Sequence, residues 1–308
     1  MIQSAGHCLI IGEALIDAVH SPDGTTREHP GGSPANVALT LGRLGCPATL
    51  LTWLGDDEQG SRIAAWLSDS HVMLSAHSSH AKSTSVAHAR VRPDGSADYD
   101  FDITWDLPDS FEVPADTVVV HTGSIAAVLQ PGGRKVKDII AGAQPTATIT
   151  YDPNIRPSLM GNPEDTRLLV EDYVGLSDVV KVSDEDLRWL YPDADIAEVA
   201  QRWLALGPAF VVVTLGGSGA QAFTRTDTVS VTAPRVQVVD TVGAGDSFMG
   251  ALIASLREHN LLSAAKRQQL HAISTATLET VLTRCINVAA VTVSRAGANP
   301  PRLTEIVE

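Results

Sequence analysis

Short β-branched runs alternate along the chain with longer stretches whose apolar residues recur at helical spacing. That rhythm predicts an α/β fold: a largely parallel sheet flanked by helices. The run Cys8-Leu9-Ile10-Ile11 is the first strand, and further strands are expected over 48–54, 117–121, 147–151, 179–182 and 210–215. Helical spacing intervenes over 60–69, 132–141, 163–174, 184–190 and 196–206. Another helix opens at Ser33-Pro34, with Ser33 capping, Pro34 first inside and Gly45 as the stop. Val37, Ala38, Leu41 and Leu44 share its apolar face.

Two segments break the rhythm. Residues 14–30 and 84–103 each read as a hairpin of period two around Pro-Asp-Gly, at 22–24 and 93–95. Proline presets the first turn angle and glycine tolerates positive φ. Two hairpins inserted early in an α/β sheet predict a small β lid on a single domain spanning 1–308, suited to an enzyme that excludes water. Surface decoration is the competing reading.

Forty-four per cent of the 308 residues are apolar but only 5% aromatic, so the core is built mainly from Ala, Val, Leu and Ile. A net charge of −14 argues against nucleic-acid partners, which need clustered Lys and Arg, and against anionic membranes. It leaves room for a phosphorylated ligand, because glycine amides and helix starts bind anions locally. No run approaches the roughly 18 apolar residues of a membrane span, and the N-terminus lacks a secretory pattern. Cys8, Cys46 and Cys285 are sparse and far apart, which reads as reduced thiols in a cytoplasmic protein.

Chemistry concentrates in Asp240-Thr241-Val242-Gly243-Ala244-Gly245-Asp246-Ser247-Phe248-Met249-Gly250. The motif follows a strand-like stretch (Val236, Val238, Val239) and opens a helix with Phe248, Ala251, Leu252, Ser255 and Leu256 on one face. Gly243 and Gly245 leave amides unshielded where the helix dipole favours an anion. Asp246 in that first turn has two readings of about equal weight: it complements the dipole, or it takes a proton from a hydroxyl that attacks a phosphoryl group held there.

Asp240 to Phe248 resembles the C-terminal signature of the ribokinase-like (PfkB) carbohydrate kinases. Gly31-Gly32-Ser33-Pro34-Ala35-Asn36 is similar to that family's N-terminal glycine-pair signature. Gly12-Glu13-Ala14-Leu15-Ile16-Asp17, Asp152-Pro153-Asn154-Ile155-Arg156-Pro157 and Thr214-Leu215-Gly216-Gly217-Ser218-Gly219 also match, in family order, over residues 8 to 301. The resemblance implies a ribokinase-like three-layer sandwich and transfer of a phosphoryl from ATP, with Mg²⁺ carried largely by the phosphates. Asp246 matches the catalytic base, and Gly243, Ala244 and Gly245 match the anion hole. Asp17, Gly31, Gly32 and Asn36 match the sugar site. Asn154 and Arg156 match residues near the phosphates or the sugar. Ser183, Thr214, Gly216 and Gly219 match the nucleotide-phosphate positions, and Asn287 matches a position near adenine, where an ordinary helix residue is nearly as good a reading. A homodimer through the lid is a further implication.

Two departures stand out. The family's Mg²⁺-linked glutamate is replaced in Ser183-Asp184-Glu185-Asp186 by Asp186, with Glu185 as a substitute. Asp240, Val242, Thr292, Arg295 and Gly297 align with a monovalent-cation site for K⁺, but a position that supplies a hydroxyl in some members is Pro301 here.

Other motifs lose ground on context. Gly217-Ser218-Gly219-Ala220-Gln221-Ala222 fits a dinucleotide pattern, but the flanking sequence reads as a hairpin around Arg225-Thr226-Asp227, not a helix. No Walker motif occurs, and Ser218 sits one residue short of a hydrolase elbow. His71, His77, His80 and His88 lack metal-ligand spacing. A sugar sensor without catalysis is disfavoured by the intact Asp246 and glycine turn. Fructose is the first choice of sugar. An acid sugar such as 2-keto-3-deoxygluconate, for which Arg90, Arg92 and Arg156 offer cations, and nucleosides are the alternatives. His88, Tyr99 and Phe101 among Asp98, Asp100 and Asp102 in the lid suit a neutral polyol better than an acid sugar.

Overall fold

The computed structural model describes residues 6–92 and 97–306. In chain order the elements are β1 (His7–Ile11), β2 (Leu15–His20), β3 (Thr26–Gly31), α1 (Ser33–Arg43), β4 (Ala48–Leu51), β5 (Leu54–Gly55), α2 (Glu58–Asp69), β6 (Val72–Leu74), β7 (Ser79–Ala81), β8 (Val86–Val91), β9 (Ala97–Asp102) and β10 (Thr117–Gly123). There follow α3 (Gly132–Ala143), β11 (Thr148–Asp152), α4 (Pro157–Met160), α5 (Pro163–Leu176), β12 (Val179–Ser183), α6 (Asp184–Leu190), α7 (Ile196–Leu206) and β13 (Phe210–Thr214). The last are β14 (Ala220–Phe223), β15 (Thr228–Val231), α8 (Ala244–Glu258), α9 (Arg267–His271) and α10 (Thr275–Val293).

A nine-stranded sheet runs in the order β15-β14-β13-β12-β11-β10-β1-β4-β6. It is parallel from β13 to β6 and antiparallel at β14 and β15. Alternate residues of each strand serve opposite layers. Cys8 and Ile10 face a core with α1, α2, α8 and α10, while Leu9 and Ile11 face one with α3, α5, α6 and α7. Both faces are therefore apolar, as a parallel sheet covered by helices on both sides requires. The result is the expected three-layer sandwich.

The two hairpins merge. β2 and β3 pair antiparallel, as do β8 and β9, and β2 then pairs parallel with β8 to give one four-stranded sheet, β3-β2-β8-β9. The turn expected at 93–95 lies outside the described residues.

Several local expectations are corrected. Residues 48–54 form two strands: β4 stops at Leu51, and β5 pairs with β7 outside the main sheet. Val236, Val238 and Val239 form no strand and are 41%, 59% and 58% exposed, because the sheet ends at β15 and leaves their alternating pattern no neighbour to pair with. α8 is buried on every side from Asp246 to Leu256, not on one face, because it sits between α1 and α10. Gly250 permits the approach to α1: a Cβ there would lie 2.6 Å from Thr40 Cβ and 3.1 Å from Val37 O. α10, at 19 residues, is long and apolar enough to cross a membrane by length and composition. Its Leu278, Val281, Leu282 and Cys285 are spent on the core against α8.

Candidate active site

β1, β10, β11, β12 and β13 run in one direction, so their C-terminal ends share one edge of the sheet. The strand order reverses between β1, continued by β4, and β10, continued by β11. A crevice opens at such a reversal, and ligands of open α/β sheets bind there.

Gly243 caps α8 at φ 75°, a left-handed conformation that glycine adopts without steric cost. The Ser247 N–H donates to Gly243 O at 2.8 Å and closes the first turn. The Ala244 N–H donates to Thr241 O at 3.3 Å, so Gly245 and Asp246 carry the first-turn amides that a helix start leaves for an anion.

Asp246 is buried beneath those amides and faces the start of α1. Its Oδ1 accepts from the Ser33 hydroxyl and its Oδ2 from Asn36 Nδ2, each at 2.7 Å. Ser33 is therefore not the cap of α1; Gly32, at φ 104°, is the capping residue and Ser33 is the first helical residue. The hydroxyl is committed to Asp246, so it is not available to the helix amides. Asn36 Oδ1 remains buried with no hydrogen-bond partner.

Asp17 lies across the crevice on β2, against Gly31: a Cβ on that glycine would stand 2.1 Å from Asp17 Oδ2. Burial pushes the Asp17 carboxyl up to about 6, with Arg156 and His29 pulling it down and Asp246 adding to the rise. Burial likewise pushes Glu13 up to about 7, against the Ser124 hydroxyl and Arg156. Glu13 Oε2 accepts from the Ala126 N–H at 3.3 Å, and the Glu13 carbonyl would lie 2.5 Å from a Cβ on Gly32. Arg156 is exposed, and its Nη1 donates to Ile155 O at 3.0 Å.

The β11 and β12 ends supply a second group. Asn154 holds φ 39° with its Nδ2 buried and unpartnered. Ser183 and Asp186 form a capping box on α6, and Asp186 Oδ1 also accepts from the Ile155 N–H at 3.0 Å. Both Asp186 oxygens are thus oriented by backbone donors, whereas Glu185 is exposed. Lys181, wholly buried, donates to Asp152 Oδ2 at 2.9 Å. Burial alone would lower its ammonium; Asp152, then Asp186 and Asp246, outweigh that and raise it. Burial pushes the Asp152 carboxyl up to about 6 while Lys181 pulls it back.

The remaining expected residues fall into two places. Thr214 Oγ1 donates to Val182 O at 3.4 Å at the end of β13. Gly216 and Gly219 follow with φ 53° and 111°, and Gly219 is needed by the hairpin itself, since a Cβ would stand 2.0 Å from Val231 O. Asn287 is exposed on α10. The segments around Asp240 and Thr292 meet: Asp240 Oδ1 accepts from Val242 N–H at 3.0 Å and Oδ2 from Gly297 N–H at 2.8 Å. Asp240 N–H donates to Val293 O, and Arg295 N–H to Thr292 O. Among the described residues no group of three or more His, Cys, Asp or Glu side chains is placed to hold a metal ion.

Glu13, Ser33, Asp152 and Lys181 join the site beyond the residues expected there, Ser33 having been expected only as a helix cap. Lys181 carried a legible signal, a lone cation inside the apolar run Val179-Val180-Lys181-Val182.

Residues 5–305 match the family model described as pfkB family carbohydrate kinase. The fructokinase of Rhizobium leguminosarum bv. trifolii is 35% identical over 275 residues, 84% of this chain and 82% of that protein. Among solved structures, fructokinase from Xylella fastidiosa with bound ATP superposes with a TM-score of 0.82 at 26% identity, covering 95% of this chain and 93% of that one. A Vibrio cholerae O395 fructokinase variant with fructose, ADP and potassium ion bound gives 0.77 at 26% identity, covering 96% and 94%. The fold is ribokinase-like.

Proposed function

The chain belongs to the pfkB family of carbohydrate kinases and is an ATP-dependent sugar kinase; from that premise we propose that its sugar is fructose and that Asp246 is its base. The observation that carries the residue assignment is the pair of 2.7 Å hydrogen bonds from Ser33 and Asn36 to Asp246, which tie the start of α8 to the glycine-pair segment.

In this reading Asp17 and Asn36 hold sugar hydroxyls. The unpartnered Asn36 Oδ1 is an acceptor waiting for one, Gly31 keeps a side chain off the Asp17 carboxylate, and Gly32 lets the chain pass close to the Glu13 backbone. The attacking hydroxyl forms a bond to the γ-phosphorus as the bond to ADP breaks, and its proton passes to the Asp246 carboxylate. The amides of Gly245 and Asp246 stabilise charge on the transferred group. Arg156 lies near enough to act on the charges of Asp17 and Glu13, and adds positive potential at the sugar end. The four-stranded sheet that carries Asp17 acts as the lid. Thr214, Gly216 and Gly219 line the nucleotide phosphates, with Asn154 Nδ2 as a free donor and Asn287 toward adenine.

Mg²⁺ would supply charge neutralisation on the phosphates and keep most of its waters. Asp186, held by backbone donors, suits contact through one of them. The turn joining Asp240, Val242, Thr292, Arg295 and Gly297 would hold K⁺ through carbonyl oxygens. A second copy would pack its lid on this one, and the three buried, free thiols suit a reducing cytoplasm.

The test is ADP release over a panel of fructose, other hexoses, 2-keto-3-deoxygluconate and nucleosides. The expected result is the highest kcat/KM with fructose. Turnover confined to acid sugars or nucleosides would remove the fructose assignment.

A further inference from the structure

We infer that Lys181 is a catalytic cation, donating to the transferred phosphoryl group from beneath the glycine turn. This rests on the kinase reading of the Asp246 site, but not on which sugar is used.

Lys181 stands on β12, where Val180 and Val182 face the layer of α5 and α7 while Lys181 points the opposite way, toward α8. It is 3% exposed. Its Nζ meets the helix start at one spot: a Cβ built on Gly245 would lie 2.8 Å from it. By bond geometry the ammonium is then within about 5 Å of the Gly245 nitrogen. One phosphoryl group, with hydrogen bonds of about 2.9 Å to each donor, spans that separation. The glycine thus has a second duty, since any side chain there would displace the ammonium.

Charge points the same way. Asp152, Asp186 and Asp246 all act on Lys181, so three carboxylates share one buried ammonium. An incoming phosphoryl group adds negative charge where carboxylates already prevail, and an ammonium in a low-dielectric pocket offsets it far better than one in water. Stability does not explain the arrangement. Replacing a buried ion pair by apolar residues is often neutral or stabilising, and Asp152 Oδ1 is left buried without any partner. Of the three ammonium protons, one is directed to Asp152 Oδ2 at 2.9 Å. That bond aims the ammonium, and the remaining protons are available to phosphoryl oxygens. Lys181 keeps all three protons through the reaction; the hydroxyl proton still goes to Asp246.

The experiment compares Lys181→Met, Lys181→Arg and the double variant Lys181→Met with Asp152→Asn, on whichever sugar the wild-type protein turns over best. Failure of the fructose assignment therefore leaves this test intact. Lys181→Met is expected to lose about 10²–10³-fold in kcat, the usual worth of a donor on a transition-state charge. Its sugar KM should change by less than about threefold. Its affinity for ADP with aluminium fluoride and sugar, a mimic of the transferring group, should fall in step with kcat. Lys181→Arg should recover part of the loss. The double variant removes the unpaired carboxylate charge and should restore the melting temperature without restoring kcat. A double variant that returns to within about fivefold of wild-type kcat would assign Lys181 to structure and overturn the proposal. So would a Lys181→Met protein with unchanged kcat, or with unchanged affinity for the aluminium fluoride complex.

Discussion

Asn36 Nδ2 donates to Asp246 Oδ2 across 2.7 Å, though the two residues are 210 positions apart. The bond joins the starts of α1 and α8, and the Ser33 hydroxyl doubles it on the other carboxylate oxygen. Asp246 is thereby fixed in orientation by side chains of the segment that would carry the sugar. Sugar placement and base placement become one geometric problem, which is how positioning lowers a barrier.

Ser33→Ala should therefore act on turnover. It removes one of two donors to a buried carboxylate, a bond worth about 1.5–3 kcal/mol. The expected result is a kcat loss of roughly 10–100-fold, with the melting temperature lowered by several degrees through that bond alone, since Gly32, not Ser33, caps α1 and no cap is lost. Steady-state kinetics and a melting curve check both halves.

Gly250→Ala should act on stability first. The added methyl would press on Thr40 Cβ and Val37 O, and overpacking of this kind costs about 1–3 kcal/mol. Thermal unfolding should show a lower midpoint, and kcat should fall with it as α1 and α8 are forced apart.

Gly245→Val should lower kcat far more than it raises the sugar KM, since its side chain intrudes on both the helix-start amides and Lys181 Nζ. Unchanged kcat would count against an anion hole at this turn.

Glu13 makes stability depend on pH in a defined direction. Its folded pKa is raised from 4.5 to about 7 by burial, so the folded state binds the proton more tightly than the unfolded one. The stability this gives is complete below about pH 4.5 and is lost as pH rises through about 7. Asp17, raised from 3.8 to about 6, adds a loss of the same sign at lower pH. Glu13→Gln should match wild type near pH 4.5 and melt higher than wild type at pH 8, as followed by melting curves across that range.

The layered fold was legible because parallel strands buried on both faces leave dense β-branched runs, and because α6 and α7 begin and end where their caps and spacing predict. The stretch at Val236, Val238 and Val239 misled for a physical reason: alternation announces a strand only where another strand is free to pair. Two hairpins were visible, but their union through β2 and β8 depends on residues about 70 apart and leaves no local mark. In the site, Asp246 and Asn36 stood out by motif, while Ser33 was read as a cap because serine before proline usually is one. Its actual partner lies 213 positions away. Lys181 shows in the sequence as a lone cation in an apolar strand, but its partner Asp152 lies 29 positions away, so its place in the site has no local mark.

Asp246→Asn tests the central claim most directly, because the amide keeps the shape of the carboxylate while giving up the proton acceptor. Single-turnover and steady-state kinetics, with sugar and ATP binding measured separately, should give a loss of roughly 10²–10⁴-fold in kcat with both ligands still bound. Turnover near the wild-type value, with sugar binding retained, would contradict the assignment of Asp246 as the base.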